Sequence, residues 1–132
     1  MSKINPDHQV FFGCSDFSGL FRGRAIISKD YLKKIDTGCG WVPADQSLTP
    51  FGEIGPNNPF GSTGDLRLVP DKSAEYKICK NELEHPFHFF ISDIKNLIGE
   101  PWECCARNYL QQGIKKLYEF YGIKLLVGFE HE

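Results

Sequence analysis

Two glutamates stand near the end of the sequence in the pattern Glu130-His131-Glu132. Residues two apart on an extended strand project from one face, with their Cα atoms about 7 Å apart. Two carboxylates aimed into one space repel each other unless a cation sits there. Hard divalent ions with oxygen ligands, Mg2+ or Mn2+, are the natural partners, commonly shared with substrate phosphates. Acidic residues at a chain end are also ordinary solvated groups, so this pair alone leaves both readings open. Arg22, Arg24 and Arg67 lie in apolar runs, where they could meet an anion or a neighbouring subunit; the plainer reading leaves the guanidinium in water over a buried stem. His8, His85 and His88 lack partners at ligand spacing and read as surface or packing residues. The five cysteines, at 14, 39, 79, 104 and 105, form no C-x-x-C and no zinc-finger spacing, so free thiols are expected. No G-x-x-x-x-G-K-[ST] or G-x-G-x-x-G is present to cradle phosphates. No Ser/His/Asp arrangement stands out either.

These groups need elements to position them. With 132 residues the sequence holds one domain's worth of chain, and 15 Lys+Arg against 17 Asp+Glu leave a net charge of −2. That balance excludes a dedicated nucleic-acid binder, which needs a cationic footprint. The polar N-terminus carries no apolar stretch of the kind a signal peptide needs, so a cytoplasmic protein is expected. Val10–Cys14 and Leu20–Ile27 read as two strands of a hairpin joined by 15–19. Ser28 stands where an N-cap would stand, and Tyr31, Leu32 and Ile35 give a short helix an apolar stripe before Gly38. From Gly38 to Pro70, 11 of 33 residues are Gly or Pro, yet Trp41, Phe51 and Phe60 are among them. A loop that long with its own aromatics reads as ordered, packed and functional. Leu66–Val69 and Glu75–Cys79 read as strands around a Pro70-Asp71 turn, and Phe87–Ile94 as a buried strand. Ala106, Leu110, Ile114, Leu117 and Tyr121 mark one apolar helix face closed by Gly122. Residues 123–132 are β-rich.

Four segments in register resemble the N-terminal portion of the glutamine synthetase family, the ATP-dependent carboxylate–amine ligases. They are Asp16-Phe17-Ser18-Gly19-Leu20-Phe21-Arg22-Gly23-Arg24, Gly64-Asp65-Leu66-Arg67-Leu68-Val69-Pro70-Asp71, Gly99-Glu100-Pro101-Trp102 leading through Arg107, and Glu130-His131-Glu132. The resemblance implies an α+β fold: a β-grasp N-terminal domain over 1–101, then a connecting helix and the first catalytic-domain strand over 102–132. By that carry-over Glu130 and Glu132 are ligands of Mg2+ or Mn2+. ATP phosphorylates the side-chain carboxylate of glutamate in the family's reaction, and ammonia or another amine displaces the phosphate. The family forms ring-shaped homo-oligomers in which the β-grasp domain completes a neighbour's active site, and the 38–70 loop is where that contribution would arise.

The sequence also departs from the pattern. Where the family's loop carries an Asp that reaches the neighbour's ammonium site, the register here falls near Gly52 and Glu53, while Asp65 matches a later loop Asp. Ala106 stands where the family often has Pro, and the Trp41–Gly64 loop resembles divergent synthetase-like members. The family's nucleotide-binding, glutamate-binding and remaining metal-binding segments have no counterpart in these residues. The expectation is therefore an N-terminal piece of such a ligase, inactive alone, with no cofactor held tightly. A free-standing β-grasp interaction module without catalysis is the alternative.

Overall fold

A computed structural model describes residues 8–78 and 87–130. The elements run β1 (Gln9–Ser15), β2 (Phe21–Ile27), α1 (Ser28–Lys34), β3 (Cys39–Trp41), a 3-10 turn (Pro43–Ser47), β4 (Leu66–Ile78), β5 (Phe87–Lys95) and α2 (Ala106–Tyr121). The strands form one mixed sheet in the order β2-β1-β5-β4-β3. Its parallel centre is β1 against β5, flanked by antiparallel pairs. This is the α+β, β-grasp-like arrangement that the resemblance implied.

Alternation builds the core. Val10, Phe12 and Cys14 of β1 and His88, Phe90, Ser92 and Ile94 of β5 are buried on one face, where Leu68 of β4 and Tyr31 of α1 join them. Phe12 and Phe90 meet edge to face at 5.8 Å between ring centres. Each such buried ring contributes roughly 2–3 kcal/mol relative to exposure.

The hairpin closes because glycines face each other across it. Gly13 pairs with Gly23, and a Cβ on Gly23 would stand 1.9 Å from the Phe12 carbonyl oxygen and 2.7 Å from Gly13 Cα. Neither neighbour is a side-chain tip that swings aside, so the strands themselves have to part. Gly23→Ala is expected to cost about 2 kcal/mol by overpacking, read as a lower urea midpoint at unchanged slope.

Several sequence expectations need correction. Ser28 is the first helical residue rather than the N-cap, which is Ile27 in extended conformation. The Pro70-Asp71 turn is instead a bulge inside one strand: Pro70 pairs with Ser92 and Glu75 with Phe90, both on β5, so 71–74 bow out while the chain returns to the same neighbour. Asp71 Oδ1 shapes the bulge by accepting from the Ser73 amide (2.9 Å) and hydroxyl (2.6 Å). β3 covers β4 only from Leu66 to Leu68, so Pro70 lies where a missing N–H costs no ladder bond. The helix ends as expected, with Gly122 left-handed at φ 66° and donating to the Tyr118 carbonyl at 2.9 Å. No residue of α2 is buried, however, so its apolar stripe is not part of the core.

The expected strand after α2 is absent over 123–130. A strand's backbone groups need a partner strand, and this segment pairs with none of the five. Its Leu126 and Phe129 are fully exposed. Glu132, His131, His85 and Cys79 lie outside the described residues. No helix among the described residues is long and apolar enough to cross a membrane.

Candidate functional site

Of the aromatics in the 38–70 segment, Trp41 is buried and Phe60 packs on Trp102 at 5.1 Å between ring centres, whereas Phe51 is exposed; the segment's mooring is electrostatic. Asp16, at the end of β1, is buried with its side chain fully shielded from solvent, and Arg22 on β2 donates Nε to it. Asp16 Oδ1 also accepts from the Leu20 amide at 2.9 Å, closing the hairpin turn. Arg22 then reaches outward, donating Nη2 to the Thr49 carbonyl at 2.9 Å. Arg24 donates Nε to the Gly40 carbonyl at 2.8 Å, and Ser18 Oγ to the Leu48 carbonyl at 2.8 Å. The Phe17 amide donates to the Gln46 carbonyl at 3.0 Å. The buried Gln46 amide fits its surroundings with its nitrogen donating to the Ser15 carbonyl and its oxygen accepting from Trp41 Nε1, each at 3.2 Å. Arg22 is thus half-buried while Arg24 stays exposed, and both fasten the loop's first half to the hairpin.

Beyond that mooring the loop projects. Thr49-Pro50-Phe51-Gly52 makes a tight turn, Pro50 fixing its second residue, with the Gly52 amide donating to the Thr49 carbonyl at 2.9 Å. Gly52 adopts φ 86°, a conformation that costs glycine nothing. Leu48 and Ile54 bridge across the base of this finger, and the Glu53 amide donates to Thr49 Oγ1 at 3.2 Å. Phe51 at the tip is 91% exposed, and Glu53 is exposed beside it. A carboxylate and an aromatic ring are thus both exposed on one hydrogen-bonded turn.

Asp65 sits elsewhere, at the foot of β4, in an exposed ion pair with Arg67. It caps the loop's far end rather than its tip. Glu130 is exposed in the irregular segment after α2. Carboxylate oxygens suit Mg2+ or Mn2+ chemically, but among the described residues no three His, Cys, Asp or Glu side chains converge to hold a metal ion. Those residues therefore do not form a metal centre by themselves.

The sequence reading missed a second ion cluster. Arg107, in the first turn of α2, donates Nη1 to Asp93 of β5 and Nη2 to Asp71 of the β4 bulge. The Ser73 hydroxyl, then Arg107, holds the Asp71 carboxyl down at about 2. Asp93 and Arg107 are 14 residues apart and Asp71 is 36 from Arg107, so only the folded register brings them together. It also missed the pair of buried His88 with Glu75, described below. The cysteines described, 14, 39, 104 and 105, are free thiols, and burial pushes Cys14 up to about 12, which makes it a packing residue.

Residues 1–102 match the family model of the glutamine synthetase N-terminal domain. The chain belongs to the glutamine synthetase family. Among solved structures, the crystal structure of a novel glutamine synthase homolog superposes with a TM-score of 0.79 at 30% identity, over 90% of this chain. The chain spans 28% of that homolog's length. No curated protein matches it. The glutamine synthetase N-terminal domain is thus the sheet described above, with its moored and protruding loop.

Proposed function

We propose that this chain serves as the N-terminal part of an ATP-dependent carboxylate–amine ligase that joins glutamate to ammonia or another amine, giving a γ-glutamyl amide, ADP and phosphate. The observation that carries the reading is the match to the glutamine synthetase N-terminal domain over residues 1–102. The protruding finger at 49–54 supports it, because an exposed carboxylate on a fixed turn suits a site completed from a neighbouring subunit of a homo-oligomeric ring. In this reading Glu53 faces the cationic amine before it loses a proton and attacks the acyl phosphate. Asp65, paired with Arg67, steadies the loop's exit into β4.

Glu130 and Glu132 would contribute carboxylates to Mg2+ or Mn2+, completed by ligands from outside the described residues. A bound divalent ion neutralises charge on the transferring phosphoryl group. The exposed apolar stripe of α2 and the exposed Leu126 and Phe129 favour this reading over a free-standing module, since a self-sufficient module would cover them.

Phosphate release from ATP by the native protein isolated from its source tests the proposal. Release that requires both glutamate and an amine, and falls at least tenfold in Glu53→Gln with the amine's KM raised, supports it. Release that ignores glutamate overturns it.

A further inference from the structure

His88 is the largest polar side chain buried in the β5 face of the core. Its Nε2 lies 2.8 Å from Glu75 Oε1 on β4, and Lys77 on the same strand meets that same oxygen at 2.8 Å. From the start of β1, the buried His8 ring stacks on it at 5.7 Å with planes 19° apart. From α1, Tyr31 meets it edge on at 5.7 Å. Three other segments of the fold therefore converge on one imidazole, and Lys77 brings a like charge beside its protonated form.

The same stack fixes the backbone. The His8 carbonyl accepts from the Ser28 amide at 2.7 Å, so the chain segment that brings the second imidazole also ties down the first residue of α1. α1 in turn runs through Gly38 into β3 and the moored loop, the Gly38 amide donating to the Lys34 carbonyl at 2.7 Å.

We propose that the His8–His88 stack is an acid-sensitive latch, which holds β1's leading end and α1 on the sheet while the buried His88 ring is neutral and releases them when that ring takes up a proton. Neutral imidazoles stack flat without repulsion. A charged His88 buried in that stack has one carboxylate partner, Glu75, and shares it with the Lys77 ammonium, so its charge is poorly offset. Burial, only partly countered by Glu75, holds His88 below the usual histidine range of about 6.5. The released form binds protons more readily than the latched form. Acid therefore favours release, and the latch strengthens as pH rises through the ordinary histidine range.

Amide hydrogen exchange at Ser28 and along α1, corrected for intrinsic rates, reads the latch directly. Protection is expected to fall about tenfold or more between pH 7.5 and 5.0, with amides of the β4–β5 pair beyond the bulge, at Arg67–Val69, unchanged. His88→Phe keeps a ring in the stack and should make α1 protection independent of pH over that range. His8→Phe keeps a ring against His88 and should leave the loss in place, which keeps the test open should His88→Phe not fold. Glu75→Gln removes the carboxylate that offsets the imidazolium and should deepen the loss at pH 5.0. Equal protection at both pH values in the unaltered protein, an undiminished loss in His88→Phe, or a loss abolished in His8→Phe overturns the latch.

Discussion

Arg22→Met should lower stability by about 3 kcal/mol and leave the 42–54 segment open to protease, the largest effect expected of any single side chain here. The reason is Asp16. Its carboxylate is fully shielded from solvent, and Arg22, itself only 20% exposed on its side chain, is its ionic partner. Methionine replaces the hydrophobic stem but leaves a buried carboxylate with the Leu20 amide and no counter-ion. Breaking a buried pair from one side costs about 3–5 kcal/mol, and the residual exposure of Arg22 sets the lower end. The Thr49 carbonyl loses its donor as well, so the finger loses its root. Urea unfolding measures the first consequence, and cleavage rate after Phe51, the exposed aromatic, measures the second.

The double variant Asp16→Asn with Arg22→Met separates charge from packing. If the penalty comes from the stranded carboxylate, removing the charge should return about half of it or more, leaving a smaller cost for the lost tether. A double variant no more stable than Arg22→Met would place the cost in packing instead. In the ligase reading the tether has a second effect, since a finger that sways loses its alignment on a neighbour's site. Activity should then fall with KM for the amine raised, while the affinity for ATP stays unchanged.

Much of this fold is legible in the sequence, because local rules govern the parts that were legible. Short apolar runs over Val10–Cys14 and Phe87–Ile94 report strands, and a helical stripe ending in Gly122 reports a capped helix. In the 38–70 segment, Trp41 and Phe60 set among glycines and prolines announce packing, which Phe51 does not share. What stayed hidden depends on contacts at long separation. His88 and Glu75 are 13 residues apart and meet because β4 and β5 pair in one register. Nothing near either residue signals the other. The Pro70-Asp71 turn was misread for an instructive reason: Asp71 does make the local side-chain turn its type favours, but β5 lies waiting on the far side, so the chain bulges and pairs again. The extended character of 123–130 was real as a propensity. A strand, however, is a property of two segments, and this one has no neighbour among the described residues. Of the site residues, Glu53 was placed on the loop by register alone, and the structure adds what register cannot carry, a fixed turn that exposes it. Asp16 and Arg22, six residues apart across one turn, were within reach of the sequence reading. Their link went unnoticed because arginines on strands ordinarily end in water.

Arg107→Met should cost about 2–3 kcal/mol and, more diagnostically, change how stability responds to acid. Arg107 draws together three elements that the chain itself joins only loosely: the β4 bulge through Asp71, β5 through Asp93, and the first turn of α2. All three side chains are roughly three-quarters buried, so the pairs are stronger than surface bridges but weaker than a fully enclosed triad. The Asp71 carboxyl, held at about 2 by the Ser73 hydroxyl and by Arg107 against an ordinary 3.8, supplies the acid signature. The folded value lies below the unfolded one, so the unfolded chain binds more protons in that window. The contribution is complete above pH 4 and is lost as pH falls towards 2. Methionine at 107 leaves the Ser73 bonds intact, so Asp71 should rise only part of the way to its ordinary value and the acid loss should shrink rather than vanish. Unfolding free energies at pH 7, 4 and 2.5 decide the matter. A variant with the same acid slope as the unaltered protein would mean that Ser73 alone holds Asp71. Because α2 has no buried residue of its own, the same substitution should free the helix to pivot, seen as faster amide exchange at Tyr109, whose N–H bonds the Cys105 carbonyl at 3.0 Å, ahead of any change in the sheet.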